Sequence, residues 1–354
     1  MVRAPASVPP SLLTVAARVE ERLDALFTTE TDRWRALSPD LVDPIDSLRS
    51  LVMDGGKRLR PAFCFWGFRA AGGAEDDRQV IDAGAAFEML QAFALVHDDV
   101  MDGSATRRGA RTAHLRFEDR HTTAEWRGEP RRFGEGVAIL IGDLAHVYAD
   151  QLLAGAPAEV RIVWDELRVE LNVGQYLDIL GSARGDTDLE GARRIARYKS
   201  GKYTIERPLH VGAALAGRLP ELEAPLSAYG DPLGEAFQLR DDVLGAFGEA
   251  AVTGKPVGDD LREGKPTPLL ALAVAAADAA ALGVLATVGD PDLSLAAIAR
   301  IQEVLVDTGA AAEIETMIGA LTARAVEAIE SAPIADDART ALVDLAHFVA
   351  QRQI

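Results

Sequence analysis

Cysteine is nearly absent from the chain. The single one, Cys64, excludes a disulfide framework and any cysteine-built metal site. It lies in the apolar run Ala62-Phe63-Cys64-Phe65-Trp66 and is expected to be a buried, inert thiol. Basic residues are short relative to acidic ones, 37 against 55. The resulting net charge of -18 argues against nucleic acid, whose phosphates select basic surfaces. Small phosphorylated ligands stay open, because a few clustered cations or bound metal ions reverse the local sign. The chain lacks GxxxxGK[ST] and any GxGxxG following a strand, so nucleotide folds are unsupported. HExxH is missing, so His97, His114, His146 and His210 form no zinc pattern, and His114 and His210 read as polar packing residues. The serine-nucleophile motif GxSxG is also missing. The N-terminus shows no secretory signal pattern, and the stretch from Leu269 to Val288, broken by Asp278, is too weakly apolar to span a bilayer. A cytoplasmic protein without a transmembrane segment is expected.

Strand-like alternation of β-branched residues is equally scarce. Strong helix formers instead recur at helical spacing through Ile81 to Val96, Val137 to Leu153, Glu159 to Leu180, Leu226 to Leu244 and Ala310 to Ile329. Several of these runs are apolar on more than one face, as in the central helices of a bundle. With 48% hydrophobic and 26% charged residues and no low-complexity linker, residues 1–354 predict one all-α domain, a single large helical bundle. Residues 1–10 are expected to fray, and 118–134 to form an exposed loop or insertion.

Against this background two acidic clusters stand out. His97-Asp98-Asp99-Val100-Met101-Asp102 ends a long apolar helix, and Asp98 and Asp102 share a face while Asp99 turns away. Acids at a helix C-terminus oppose the macrodipole, so a bound cation is expected to offset them. Oxygen-only ligands in pairs suit Mg²⁺, which takes one or two carboxylates plus substrate phosphates. Asp241-Asp242 ends a second apolar helix, with Gly245 one turn further on, and the two helices are expected to face each other. Cations accompany both clusters: Lys57 and Arg60 after Gly55-Gly56, Arg107-Arg108-Gly109, Lys199, Lys255 and Lys265. Such groups bind phosphate by charge-assisted hydrogen bonds. Arg58 and Lys202 read as ordinary surface charges.

The ordered set GGKRLRP, DDVMD, RRG, YKSGKYT, FQLRDDVLG and GKPVGDDLREGK, from Gly55 to Lys265, resembles the trans-isoprenyl diphosphate synthase (polyprenyl synthetase) family. The resemblance implies an isoprenoid synthase-like bundle with a central active-site cavity. It also implies a magnesium-dependent trans-prenyltransferase that joins isopentenyl diphosphate to allylic diphosphates. On that basis Asp98, Asp102 and Asp241 would hold three Mg²⁺ ions, with Asp99 and Asp242 in support. Arg107, Lys199 and Lys255 would bind the allylic diphosphate. Lys57, Arg60, Gln91 and Arg108 would bind isopentenyl diphosphate, Gln91 standing where many relatives carry histidine. Ser200 and Gln238 would direct oxygen dipoles at the developing carbocation, and Lys265 would belong to a closing loop. A homodimer is implied as well. Gly245 departs from the family pattern, replacing the last aspartate of the fuller second motif, and Arg111 stands where proline is frequent.

Phe93 and Ala94 lie about one turn before Asp98, where a bulky side chain would floor the product tunnel. Phe93 beside small Ala94 resembles geranylgeranyl-forming members, with farnesyl diphosphate the second choice. Core packing is the other reading of Phe93, with the floor then set by Met89, Leu90, Val173 or Tyr176. A terpene cyclase would not need the second diphosphate site built by Lys57, Arg60 and Arg108. A non-catalytic modulatory subunit would have no need of both acidic pairs.

Overall fold

The computed structural model describes residues 8–185, 188–248 and 258–351. The described chain is helical almost throughout, the one sheet being a two-residue ribbon. It divides into two compact units.

One unit comprises Pro10–Phe65 and Glu75–Ala156. It holds α1 (Pro10–Leu37), α2 (Val42–Met53), the start of α3 (Leu59–Ala70), α4 (Arg78–Asp102), α5 (Ala113–Thr123) and α6 (Pro130–Leu152). Asp77 starts α4 by accepting the Gln79 N–H at 2.7 Å, and Gly103 ends it in the left-handed conformation. Between these caps α4 is apolar on nearly every face. Phe87, Met89 and Leu90 are fully buried, each contributing roughly 1.5–3 kcal/mol. Among the described helices only α4 is long and apolar enough to cross a membrane, yet 67% of its most apolar stretch is buried inside the protein, the position of a core helix. Cys64 is fully buried, which pushes its thiol well above the usual range.

Segment 118–134, expected as an exposed loop, is helical at both ends, and only 124–129 connects α5 to α6. His114, Phe117 and His121 recur at helical spacing on α5 and are buried, so the charges around them form the outer face of a helix. Arg58 is no surface charge. Its side chain is 1% exposed and donates to Glu88 Oε2 at 2.5 Å, Glu20 Oε1 at 3.1 Å and the Val52 carbonyl at 2.7 Å.

The other unit comprises Trp66–Ala74 and the described residues from Pro157 onward. It begins with α7 (Ala158–Arg184) and α8 (Leu189–Ala196), which runs through a π-helical segment (Arg197–Glu206) into α9 (Arg207–Leu215). Then follow α10 (Leu219–Phe247), α11 (Asp259–Glu263), α12 (Pro268–Ala276), α13 (Ala279–Leu285), α14 (Leu295–Asp307), α15 (Ala310–Glu330) and α16 (Asp336–Ala350). Ile301, Ile314 and Leu239 lie in its apolar core.

A buried ion network braces the π-helical segment. Arg207 donates two hydrogen bonds of 2.7 Å to Glu170, and Lys202 Nζ lies 2.9 Å from Glu170 and 3.4 Å from Glu206. Burial alone would raise Glu170, but the bonds from Arg207 and Lys202 outweigh it and hold the carboxyl below its usual range. Lys202, expected on the surface, is therefore structural. Val173 and Tyr176 are 47% and 65% exposed on α7.

Candidate active site

The first acidic cluster sits where α4 meets its glycine cap. Arg107 folds back onto it, with Nε and Nη2 lying 2.9 and 2.6 Å from Asp99 Oδ1 and Nη2 lying 3.4 Å from Asp98 Oδ2. The ribbon that delivers Arg107 pairs β1 (Thr106–Arg107) antiparallel with β2 (Ala110–Arg111). Its two-residue turn has positive φ at Arg108 (53°) and Gly109 (75°), the geometry that matches strand twist. Asp99 is buried and engaged with this guanidinium, while Asp98 is half-buried. Arg111 caps the same ribbon through an ion pair with Asp119 at 2.6 Å.

Arg108, from the turn, reaches α2 and the glycine pair, donating to the carbonyls of Leu51 at 2.5 Å and Gly55 at 2.9 Å. Gly55 and Gly56 have φ of 122° and 113°, which only glycine adopts without strain. A Cβ at Gly56 would also crowd Arg108 Nη2 at 3.2 Å and Arg58 Nη1 at 3.3 Å. Burial, with repulsion from Arg58, Arg107 and Arg60, lowers the Arg108 guanidinium despite the opposing pull of Glu88. An anion placed here would relieve that repulsion. Lys57 is exposed at the tip of the turn, and Arg60 and Gln91 are half-buried on α3 and α4. Phe93 packs edge-on against His97 with centroids 4.7 Å apart, and stacks on His146 of α6 at 4.9 Å. Ala94 beside it is half-buried.

The second acidic cluster belongs to the other unit. Asp242 on α10 is 6% exposed and accepts from Gln238 Nε2 at 2.7 Å through Oδ1. Its Oδ2 is buried without a hydrogen-bond partner. Burial first, then repulsion from Asp260, Asp241 and Asp178, pushes the Asp242 carboxyl up to about 8 despite the Gln238 bond. Lys199, on the π-helical segment with half-buried Ser200, answers part of this charge through a 2.5 Å bond to Asp178 Oδ2. Lys265 lies 2.6 Å from Glu263 and 3.7 Å from Asp260. Lys255 lies outside the described residues.

The donor set is carboxylate oxygen throughout, and among the described residues no three such groups converge into a metal cage. That fits a hard divalent cation that takes one or two carboxylates and completes its shell with phosphate oxygen and water. Asp178 and Asp260 escaped the sequence reading as site residues. Asp178 could have been flagged as the only acid in Gly174-Gln175-Tyr176-Leu177-Asp178-Ile179-Leu180, and Asp260 needs the fold to be noticed.

Known proteins resemble this chain over most of its length. The polyprenyl synthetase family profile matches residues 45–303. A geranylfarnesyl diphosphate synthase from Aeropyrum pernix is 33% identical over 83% of this chain and 89% of its own. The crystal structure of geranylgeranyl pyrophosphate synthase from Corynebacterium glutamicum, complexed with isoprenyl diphosphate and magnesium, is 39% identical. It has a TM-score of 0.89 and covers 98% of this chain and 100% of that one. A polyprenyl synthase from Caulobacter crescentus CB15, complexed with calcium and isoprenyl diphosphate, is 28% identical with a TM-score of 0.82 over 100% of both chains. With the family profile matched through both acidic clusters and each cluster furnished with its cations, the chain belongs to the polyprenyl synthetase family, the trans-isoprenyl diphosphate synthases, and is an enzyme of the trans-prenyltransferase class.

Proposed function

We propose that this chain condenses isopentenyl diphosphate with allylic diphosphates in the presence of Mg²⁺ and releases geranylgeranyl diphosphate as its main product. The observation that carries the reading is the pair of anion-binding groups in one unit. Arg107 lies against the carboxylates of α4, while Arg108 with Lys57 and Arg60 gathers at the Gly55-Gly56 turn. Two such groups serve two diphosphates, which a cyclase acting on one does not require. The family match runs through both compact units, which supports a single catalytic domain over residues 1–354.

In this reading Asp98, Asp102 and Asp241, supported by Asp99 and Asp242, hold the Mg²⁺ ions. Bound there, Mg²⁺ would supply the positive charge that makes diphosphate a better leaving group. Arg107, Lys199 and Lys255 bind the allylic diphosphate and receive charge as its C1–O bond breaks, the electron pair departing with diphosphate. Lys57, Arg60, Gln91 and Arg108 hold isopentenyl diphosphate so that its double bond attacks C1. The resulting cation passes a proton from its adjacent C2 to the departed diphosphate as the C–H electron pair forms the new double bond. Ser200 and Gln238 turn oxygen dipoles toward the transient positive charge. Water has to be kept from the site during this step, because it would quench the cation.

The geranylgeranyl assignment is supported by Phe93 as the floor beside small Ala94, and by the Corynebacterium relative's product. Farnesyl diphosphate is the second choice. Ile162, Val169, Val173 and Tyr176 form an exposed apolar stripe along α7, which supports a homodimer packed through that face. A cytoplasmic enzyme is the accompanying reading.

The test is incubation of the purified chain with Mg²⁺, isopentenyl diphosphate and, separately, dimethylallyl, geranyl and farnesyl diphosphates, with products sized by mass spectrometry. A twenty-carbon diphosphate, lost with EDTA and in Asp98→Ala and Asp241→Ala, is expected. A folded protein that elongates no primer would leave a cyclase or a partner-dependent subunit as the better reading.

A further inference from the structure

The second acidic cluster is one carboxylate short, because position 245, one turn beyond Asp241 on the same face of α10, is glycine. Its place is taken from elsewhere in the chain. A Cβ built at Gly245 would overlap the carboxylate of Asp260, lying 2.6 Å from its Cγ and 3.3 Å from its Cβ. Asp260 is carried there by α11, a single short helix that begins and ends at left-handed glycines, Gly258 (φ 69°) and Gly264 (φ 67°). An aspartate side chain and a Cβ at 245 cannot share that space, so the glycine is a requirement of the Asp260 position.

A second observation marks the same spot as a place for a cation. Asp242 and Asp260 line one narrow cavity together with Lys265 and Thr267. The Oδ2 of Asp242, a residue of this lining, is buried without a hydrogen-bond partner. A buried carboxylate oxygen left in that state is costly unless a donor or a metal reaches it.

We propose that Asp260 supplies the carboxylate that Gly245 lacks, so that Asp241 from α10 and Asp260 from α11 together bind the divalent cation on this side of the active site. The inference rests on the synthase reading above. It assigns a metal-binding part to the Gly258-Asp259-Asp260 segment. Because the carboxylate comes from a separate short helix, metal binding also fixes α11 against α10.

The experiment uses the full chain and Mn²⁺ with inorganic pyrophosphate as probes, reading free Mn²⁺ by electron paramagnetic resonance. Asp260→Asn keeps the shape of the side chain and removes its charge. It is expected to weaken one Mn²⁺ site by roughly 10–100-fold, the usual cost of disturbing a metal's immediate surroundings. Gly245→Asp combined with Asp260→Ala moves the carboxylate back onto α10 and is expected to restore binding to within about threefold of wild type. Gly245→Ala keeps Asp260 but fills its seat, and it too should weaken the site. Mn²⁺ binding by Asp260→Asn and by Gly245→Ala with wild-type affinity and stoichiometry would overturn the assignment. The functional reading is separately exposed: wild-type protein that binds Mn²⁺ and pyrophosphate but elongates no primer would defeat that reading and leave the Asp260 assignment standing.

Discussion

Arg58 offers a prediction whose size separates two readings of one residue. A surface arginine replaced by methionine changes stability by about 0.5 kcal/mol or less. Arg58 instead has 1% of its side chain exposed and faces Glu88, at 6%, across 2.5 Å. Arg58→Met strands the Glu88 carboxylate in the interior and removes the donor to the Val52 carbonyl. Breaking a buried pair from one side costs about 3–5 kcal/mol. The charge of Arg108, which also acts on Glu88, places the expectation near the lower end, about 3 kcal/mol. That is a large share of a typical total of about 5–15 kcal/mol. The double variant Arg58→Met/Glu88→Met removes both charges and should recover to within about 1 kcal/mol of wild type. Urea unfolding followed by circular dichroism measures all three. Because Arg58 holds the turn that presents Lys57 and Arg60, the single variant should also raise KM for isopentenyl diphosphate more than it lowers kcat. A loss below about 1 kcal/mol in Arg58→Met, or a double variant as unstable as the single, would refute the buried-pair account.

The same residue explains where the sequence was readable and where it was not. Helices α4, α6, α7, α10 and α15 were legible because each repeats apolar residues at the helical period over more than two turns, and α4 and α7 stop at glycine caps. That Asp98 and Asp102 sit one turn apart at the glycine-capped end of α4 was legible from the helical spacing. Arg58 and Lys202 were misread because their partners, Glu88 and Glu170, lie about thirty residues away, and no local pattern announces such pairs. The α5 segment was misread because its charged outer face outnumbers the three buried residues that make it a helix. Asp260 was quoted in a motif but given no part, since only the fold brings it against Gly245. Local chemistry reads from the chain, whereas counter-charges depend on which helices meet.

The remaining predictions concern the second acidic cluster, pH and product length. Asp178→Asn weakens the charge-assisted bond that positions Lys199, worth about 1.5–3 kcal/mol, so Tm should fall by a few degrees and kcat roughly 10–100-fold. An unchanged kcat would show that Lys199 needs no such anchor. His210 is held below its ordinary pKa by burial, among Glu206, Arg207, Glu223 and Ser227, and burial lowers His114 as well. The unfolded chain therefore binds these protons more readily, and stability should fall as pH drops below about 6.5, by up to about 1.4 kcal/mol per pH unit for each histidine. His210→Gln should flatten that slope in unfolding measured between pH 5 and 7.5, and an unaltered slope would contradict it. In the proposed reading the product-tunnel floor is Phe93, about 7.5 Å before Asp98 along α4 at 1.5 Å per residue. Its ring is stacked on His146, so truncation opens a space whose next wall is that imidazole rather than a deep void. Phe93→Ala should therefore lengthen the product by one or two five-carbon units, and Phe93→Ala/His146→Ala should lengthen it further, as sized by mass spectrometry. If both variants keep the wild-type product, the ring is core packing and the floor lies on another helix. If the single variant lengthens the product and the double adds nothing, Phe93 alone sets the length.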